Sequence, residues 1–147
     1  MGAFESAGRL GEAISLSEQT LADSERVLGA DHPDTLASRN NLASTYRSAG
    51  RLGEAVPLFE RTLADRERVL GADHPSTLNS RNSLAGAYRS AGRLDEAIPL
   101  HEQTLADCER VLGDQPLTRT VRANLSDAVS DRNAQGRGRW GRKRRAR

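Results

Sequence analysis

Three histidines, one cysteine and a terminal block of arginines are the residues of this chain most able to do chemistry. Catalysis needs a nucleophile, a base and an orienting group that converge on one point. His32 and His74 each sit in an Ala-Asp-His-Pro run, and the two runs lie 42 residues apart. That places them at equivalent points of a recurring pattern, not opposite one another. A zinc site requires three or four converging ligands, whereas this pattern supplies one histidine per copy. Both histidines therefore read as part of a helix start. Cys108 falls where earlier copies carry Ser24 and Arg66, so it reads as a surface thiol and not as a nucleophile. The glycines stand singly and form no phosphate-cradling loop. No enzyme, metal site or cofactor is expected.

The basic block is a different kind of candidate. The last eleven residues, RGRWGRKRRAR, hold Arg137, Arg139, Arg142, Lys143, Arg144, Arg145 and Arg147 and no acidic residue. The whole chain is +2, so the remainder carries −5. Seven cations neutralise phosphates and Trp140 offers a stacking surface, which makes an anion- or nucleic-acid-binding tail the alternative reading. Against it, the run has no folded recognition module. Its arginine excess, 21 against a single lysine, also fits a GC-rich coding bias. Residues 132–147 read as a basic, disordered tail.

The elements that position these groups must be helical. Hydrophobic residues make up 36% of the chain but aromatics only 3%, so alanine and leucine must form the core. Small knobs of that kind suit closely packed helices, and no segment alternates as a half-buried strand would. One cysteine allows no internal disulfide. No run approaches the ~20 apolar residues of a membrane span, and the N-terminus lacks a basic region followed by an apolar stretch. A cytoplasmic, non-membrane protein is expected.

A repeat organises the chain. AGRLGEA occupies residues 7–13 and again 49–55, and AGRLDEA follows at 91–97. Residues 7–48 and 49–90 align without a gap and agree at 32 of 42 positions. A third copy keeps register until GADHP becomes GDQP, one residue shorter. Such a period marks stacked units. Each unit predicts two helices. Pro33 suits a first helical position, with Asp31 or His32 as its cap. Gly50 ends helix A at residues 33–48 by taking a left-handed conformation. Helix B starts near Leu52, turns Ala55, Val56, Phe59, Leu63 and Leu70 inward, and stops at Gly71. Pro57 and Pro99, in its second turn, predict a slight bend. AGRLGEA is thus read as the corner between A and B. Arg39, Arg81 and Arg122 recur beside the buried stripe and predict ion pairs with an adjacent helix.

The sequence NLASTYRSAGRLGEAVPLF resembles a tetratricopeptide repeat, through Leu42, Ala43, Tyr46, Gly50, Ala55 and Phe59. Leu84, Ala85, Tyr88, Gly92 and Ala97 repeat the match, with Ser17 and His101 in place of the helix-B aromatic. The 42-residue period is similar to the kinesin light chain-like subclass. The resemblance implies an all-α, right-handed superhelical solenoid over residues 1–131, with about three helix pairs. Its first helix is truncated and its last, residues 118–131, is a polar cap. His101 would be a partly buried substitute for the aromatic. The resemblance further implies a concave groove lined by the A helices, at Asn40, Asn41, Ser44 and Arg47, then Asn79, Asn82 and Arg89, then Asn124. Asparagine can pair with both groups of an extended peptide backbone and arginine with a carboxylate. Structural bonding between helices is the competing use of each asparagine. The family's chaperone-tail clamp needs a lysine one turn before the asparagine. Ala37, Asn79 and Thr120 stand there, which argues against that ligand.

The implied function is a protein–protein interaction scaffold binding a peptide or partner segment. The alternatives are a regulator acting through the tail and a fragment of a larger regulatory protein. Residues 10–28 also offer Ile14, Leu21 and Leu28 without a full A helix to cover them, which predicts self-association through the N-terminal end.

Overall fold

The structure is a computed structural model that describes the backbone of residues 2–145 and the side chains of residues 8–138. It consists of α1 (Gly2–Leu28), α2 (Pro33–Ser48), α3 (Leu52–Leu70), α4 (Pro75–Ser90), α5 (Leu94–Leu112) and α6 (Pro116–Arg145), and no strand occurs among the described residues. The bounds of α2 to α5 follow from local chemistry. His32 Nδ1 accepts the Asp34 amide at 3.1 Å, and His74 Nδ1 accepts the Ser76 amide at 3.0 Å. Each histidine thus satisfies one of the orphan donors of a helix start, with Pro33 or Pro75 following it.

The corners at residues 49–51 and 91–93 are built alike. Gly50 and Gly92 both take φ +76°, a region that disfavours side chains. The amides of Arg51 and Arg93 then donate back to the carbonyls of Tyr46 and Tyr88, each at 2.8 Å. The Arg51 guanidinium lies 4.7 Å from the Tyr46 ring centre and Arg93 lies 4.5 Å from that of Tyr88. Each arginine also holds the glutamate three residues on, Glu54 or Glu96, at 2.7 Å. Tyr88 is buried and donates to Glu60 at 2.9 Å. Burial first, and then that bond, push its phenol up to about 12.

Consecutive helices pack antiparallel from α1 to α6. In addition α2 touches α4 and α4 touches α6, whereas among the described residues α1, α3 and α5 do not approach one another. The A helices therefore line the inner, concave side and the B helices stand apart on the outer side. One core joins Ala43, Ala55, Val56 and Phe59 to Leu84, Ala87, Tyr88 and Ala97. Two smaller clusters, around Leu78–Cys108–Val121 and Leu94–Ile98–Ala128, continue it to α6.

Both ends depart from the pattern. Residues 7–13 form no corner: α1 is one helix through them, and Gly8 is absent from the glycines with positive φ. Residues 2–28 instead run on as one helix, in which each added residue adds a hydrogen bond. At the other end, residues 132–145 are helical where a structureless tail was expected. Asn133 stands at the place of Gly50 and Gly92, so no glycine marks a turn, and no proline follows. Residues 132–138 of this extension are exposed.

Candidate binding face

The inner face is formed where one A helix leans on the next. Arg47 of α2 crosses to α4, where its Nε donates to Ser90 Oγ at 2.9 Å. It passes over Gly86, where an added Cβ would lie 2.9 Å from Arg47 Nη1. The missing side chain is what lets the guanidinium lie flat. Arg89 of α4 makes the equivalent reach to α6 and meets carboxylates. Its Nε donates to Asp131 at 2.5 Å, and its Nη1 lies 3.9 Å from Asp127. The two arginines consequently differ. Asp131 holds the Arg89 guanidinium above the ordinary arginine value. Burial, and then the neighbouring Arg89 cation, draw Arg47 below it. Among the described residues Arg47 has no carboxylate partner.

The asparagines divide. Asn124 Nδ2 donates to Asn82 Oδ1 at 3.1 Å, so these two tie α6 to α4. Asn40 is buried, and its Oδ1 has no partner among the described residues. Asn41, Ser44 and Asn79 are exposed on the same helices, with no side-chain hydrogen bond among the described residues. Of the sequence-predicted set, Arg47 and Arg89 each reach to the next A helix, and Asn82 and Asn124 join α4 to α6.

His101 is wholly buried, not partly, and both its ring nitrogens lack partners among the described residues. It occupies the place of Phe59 one period on. Burial first, then Arg89 and Arg47, lower its pKa from 6.5, so it stays neutral. Cys108 corrects the surface reading: it is buried against Leu78 and Val121. Burial, above all, pushes its thiol up, which makes it a poor nucleophile. Its polar equivalents misled. Arg66 is buried at that place too, donating to Ser80 Oγ at 2.8 Å.

The expected ion pairs are present. Arg39 binds Asp65 of α3, Arg81 binds Asp107 of α5 at 2.6 Å, and Arg122 reaches Glu109 at 3.3 Å. Each of the first two belongs to a larger network that sequence reasoning missed. Asp65 also meets Arg68, which holds Asp31 ahead of α2 at 2.7 Å. Asp107, Arg110 and Asp73 repeat the arrangement, with the last pair at 2.8 Å. The signal was available: these aspartates and arginines are identical between copies at every one of those places.

Of the basic tail, Arg137 is exposed. Arg139, Arg142, Lys143, Arg144 and Arg145 lie in α6, but their side chains are outside the described residues, as is all of Arg147. No group of three or more metal-ligating side chains occurs among the described residues, and no helix there is long and apolar enough to cross a membrane.

The family model for tetratricopeptide repeats matches residues 2–68, 40–110 and 82–135 in overlapping units. This chain belongs to the tetratricopeptide repeat family. Its members generally mediate protein–protein interactions and are generally not enzymes. The right-handed helical solenoid is thereby the fold of this member. Among solved structures, it is similar to a Podosopora anserina protein described as a putative kinesin light chain with nearly identical TPR-like repeats. That match has 33% identity and a TM-score of 0.70, and covers 93% of this chain and 65% of that one. A single-residue variant of the same protein matches with a TM-score of 0.72 at the same identity. BtubC (BKLC) from P. vanneervenii matches in fold, with 21% identity and a TM-score of 0.74 over 84% of this chain and 50% of that one. The chain thus spans just under two thirds of the Podosopora structures and half of the last. Comparison with curated protein sequences finds no significant match.

Proposed function

We propose that this repeat protein is an interaction scaffold that holds a peptide or partner segment in its concave groove. The observation that carries the reading is Arg47. It is a cation with no carboxylate partner among the described residues, on the same helix as exposed Asn41 and Ser44 and as Asn40, whose Oδ1 has no partner among the described residues. A guanidinium in that state is matched to a partner carboxylate, and a nearby amide to a peptide backbone. Arg89, already held by Asp131 and Asp127, contributes less. The groove is therefore anchored at α2 and not equally along its length.

The test is calorimetric titration of a partner captured by affinity purification against wild type, Arg47→Ala and Arg89→Ala. Arg47→Ala should weaken binding by about 1.5–3 kcal/mol, the worth of a lost charge-assisted bond, and Arg89→Ala by less. Unchanged affinity in a folded Arg47→Ala chain would move the site off this face. A second reading places an anion or nucleic acid on the Arg-rich extension, supported by seven cations within residues 137–147, of which Arg137 is exposed. Binding lost on removal of residues 137–147 and falling steeply with salt would favour it. A cytoplasmic location accompanies the first reading, and a fragment of a larger regulatory protein is the remaining alternative to it.

A further inference from the structure

We infer that the chain associates head to tail, with α6 of one copy packing against α1 of a second copy as α4 packs against α5 within the chain. The two ends carry the separated halves of the ion network that closes each internal helix pair. Inside the chain, the network joins an aspartate and arginine of helix B, Asp65 and Arg68 or Asp107 and Arg110, to an arginine of helix A and an aspartate ahead of it. On α1 the helix-B half is Asp23 and Arg26. Among the described residues they have only each other, at 3.5 Å, with side chains 58% and 72% exposed. At α6 the helix-A half is Asp114 and Arg122. Among the described residues Asp114 is held only by the nearby Arg119 at 3.2 Å and Arg122 only by Glu109, both in exposed pairs. Bringing α6 onto α1 of a second copy sets Arg122 against Asp23 and Asp114 against Arg26, the internal arrangement restored.

Two further observations point the same way. Of the α1 residues expected to be uncovered, Ile14 is buried against the fold and Leu21 half-buried, while Leu28 is exposed; beside them Leu16 is 66% exposed, and Thr20 is exposed where Thr62 and Thr104 are fully buried. Both end helices also overshoot the corner. α1 begins ahead of Leu10 and α6 continues past Asp131. In an antiparallel A–B pair the end of A adjoins the start of B, so the two overhangs lie side by side and lengthen the contact. The face of α6 is more polar than its internal counterparts, since Arg119 and Ser126 replace Leu78 and Ala85. Charge, not apolar burial, therefore governs this contact. Because the two surfaces differ, the association is heterologous and open-ended.

Sedimentation velocity of the 147-residue chain over about two decades of concentration, up to about 100 micromolar, covers the range of such a weak contact. The expected result is a sedimentation coefficient that keeps rising past that of a dimer. It should fall back on raising salt from about 0.05 M to about 0.5 M, which shortens the reach of the charges several-fold. Arg122→Glu and Asp23→Arg should each weaken association about tenfold or more, because each sets like charges against one another. Mixing the two variants should restore it, as should combining both changes in one chain. Circular dichroism of each variant checks the fold. A monomer at every concentration, a closed dimer at saturation, variants that associate like wild type, or a mixture that stays apart would each overturn the inference.

Discussion

Residues 7–13 and residues 49–55 are the same heptapeptide, yet the first is the middle of a helix and the second turns a corner. Gly8 keeps helical geometry and Gly50 takes φ +76°. The sequence AGRLGEA therefore permits a corner without imposing one. What imposes it lies outside the seven residues: a full helix A whose tyrosine carbonyl receives the arginine amide and whose ring lies under the guanidinium.

The comparison breaks most visibly at that tyrosine. Tyr88→Ala removes a buried ring from the main core along with its bond to Glu60. It should cost about 3 kcal/mol or more, read from chemical denaturation. A cost near that of a surface change would mean that the corner holds without its ring.

A second pair of equivalent places sharpens the role of context. Phe59 and His101 occupy the same site one period apart, and only the histidine leaves two nitrogens unpaired. His101→Phe should stabilise by about 1–3 kcal/mol, the cost of a buried unsatisfied polar group. It should also flatten the pH profile. The folded pKa of His101 lies below its unfolded value of 6.5, so the unfolded chain takes up the proton first. Wild type should lose stability as pH falls below about 6.5, and the variant should not lose that part.

One substitution made twice should then give opposite signs. Neither Gly8 nor Gly50 has an atom within 4 Å of an added Cβ, so only backbone conformation counts. Gly50→Ala forces a side chain into left-handed geometry and should destabilise by about 1–2 kcal/mol. Gly8→Ala relieves a helix interior and should stabilise by about 0.5–1 kcal/mol. Thermal melts of the two variants side by side decide it; the same sign for both would mean that residues 7–13 turn after all.

The smallest difference is expected at the arginines. Arg93→Ala should lower the melting temperature slightly, through its loss over Tyr88 and from Glu96, while Arg9→Ala should leave it unchanged. Acid should narrow the difference to the part that comes from the ring. Arg93 holds the Glu96 carboxyl below its ordinary 4.5, so that contribution is present above this pH and lost as pH falls below it. A gap between the two variants that is undiminished at about pH 3, well below the ordinary carboxylate range, would assign the effect to ring stacking alone.

Much of the fold was legible because the internal helices are punctuated. Pro33, Gly50, Leu52 and Gly71 mark the ends of α2 and α3 where the structure has them. The ends of the chain were not legible for the reason the heptapeptide makes plain: identical letters meet different neighbours. Cys108 shows the same limit in the core. Serine and arginine at equivalent places suggested solvent, but Arg66 is itself buried, with a local hydroxyl to satisfy it. At the candidate groove, the sequence located Arg47 and Arg89 but not their inequality. That arises from Asp131, whose reach to Arg89 depends on how two units stack.

The uneven spacing of the helices has a mechanical consequence. Touching A helices make a stiff inner rail, while the separated B helices leave slack along the outer edge. Such a body bends as a leaf spring does, changing its curvature by opening or closing the outer gaps while the rail keeps its length. In such a bend Arg47, which reaches from α2 over Gly86 to Ser90 of α4, belongs to the part that keeps its length.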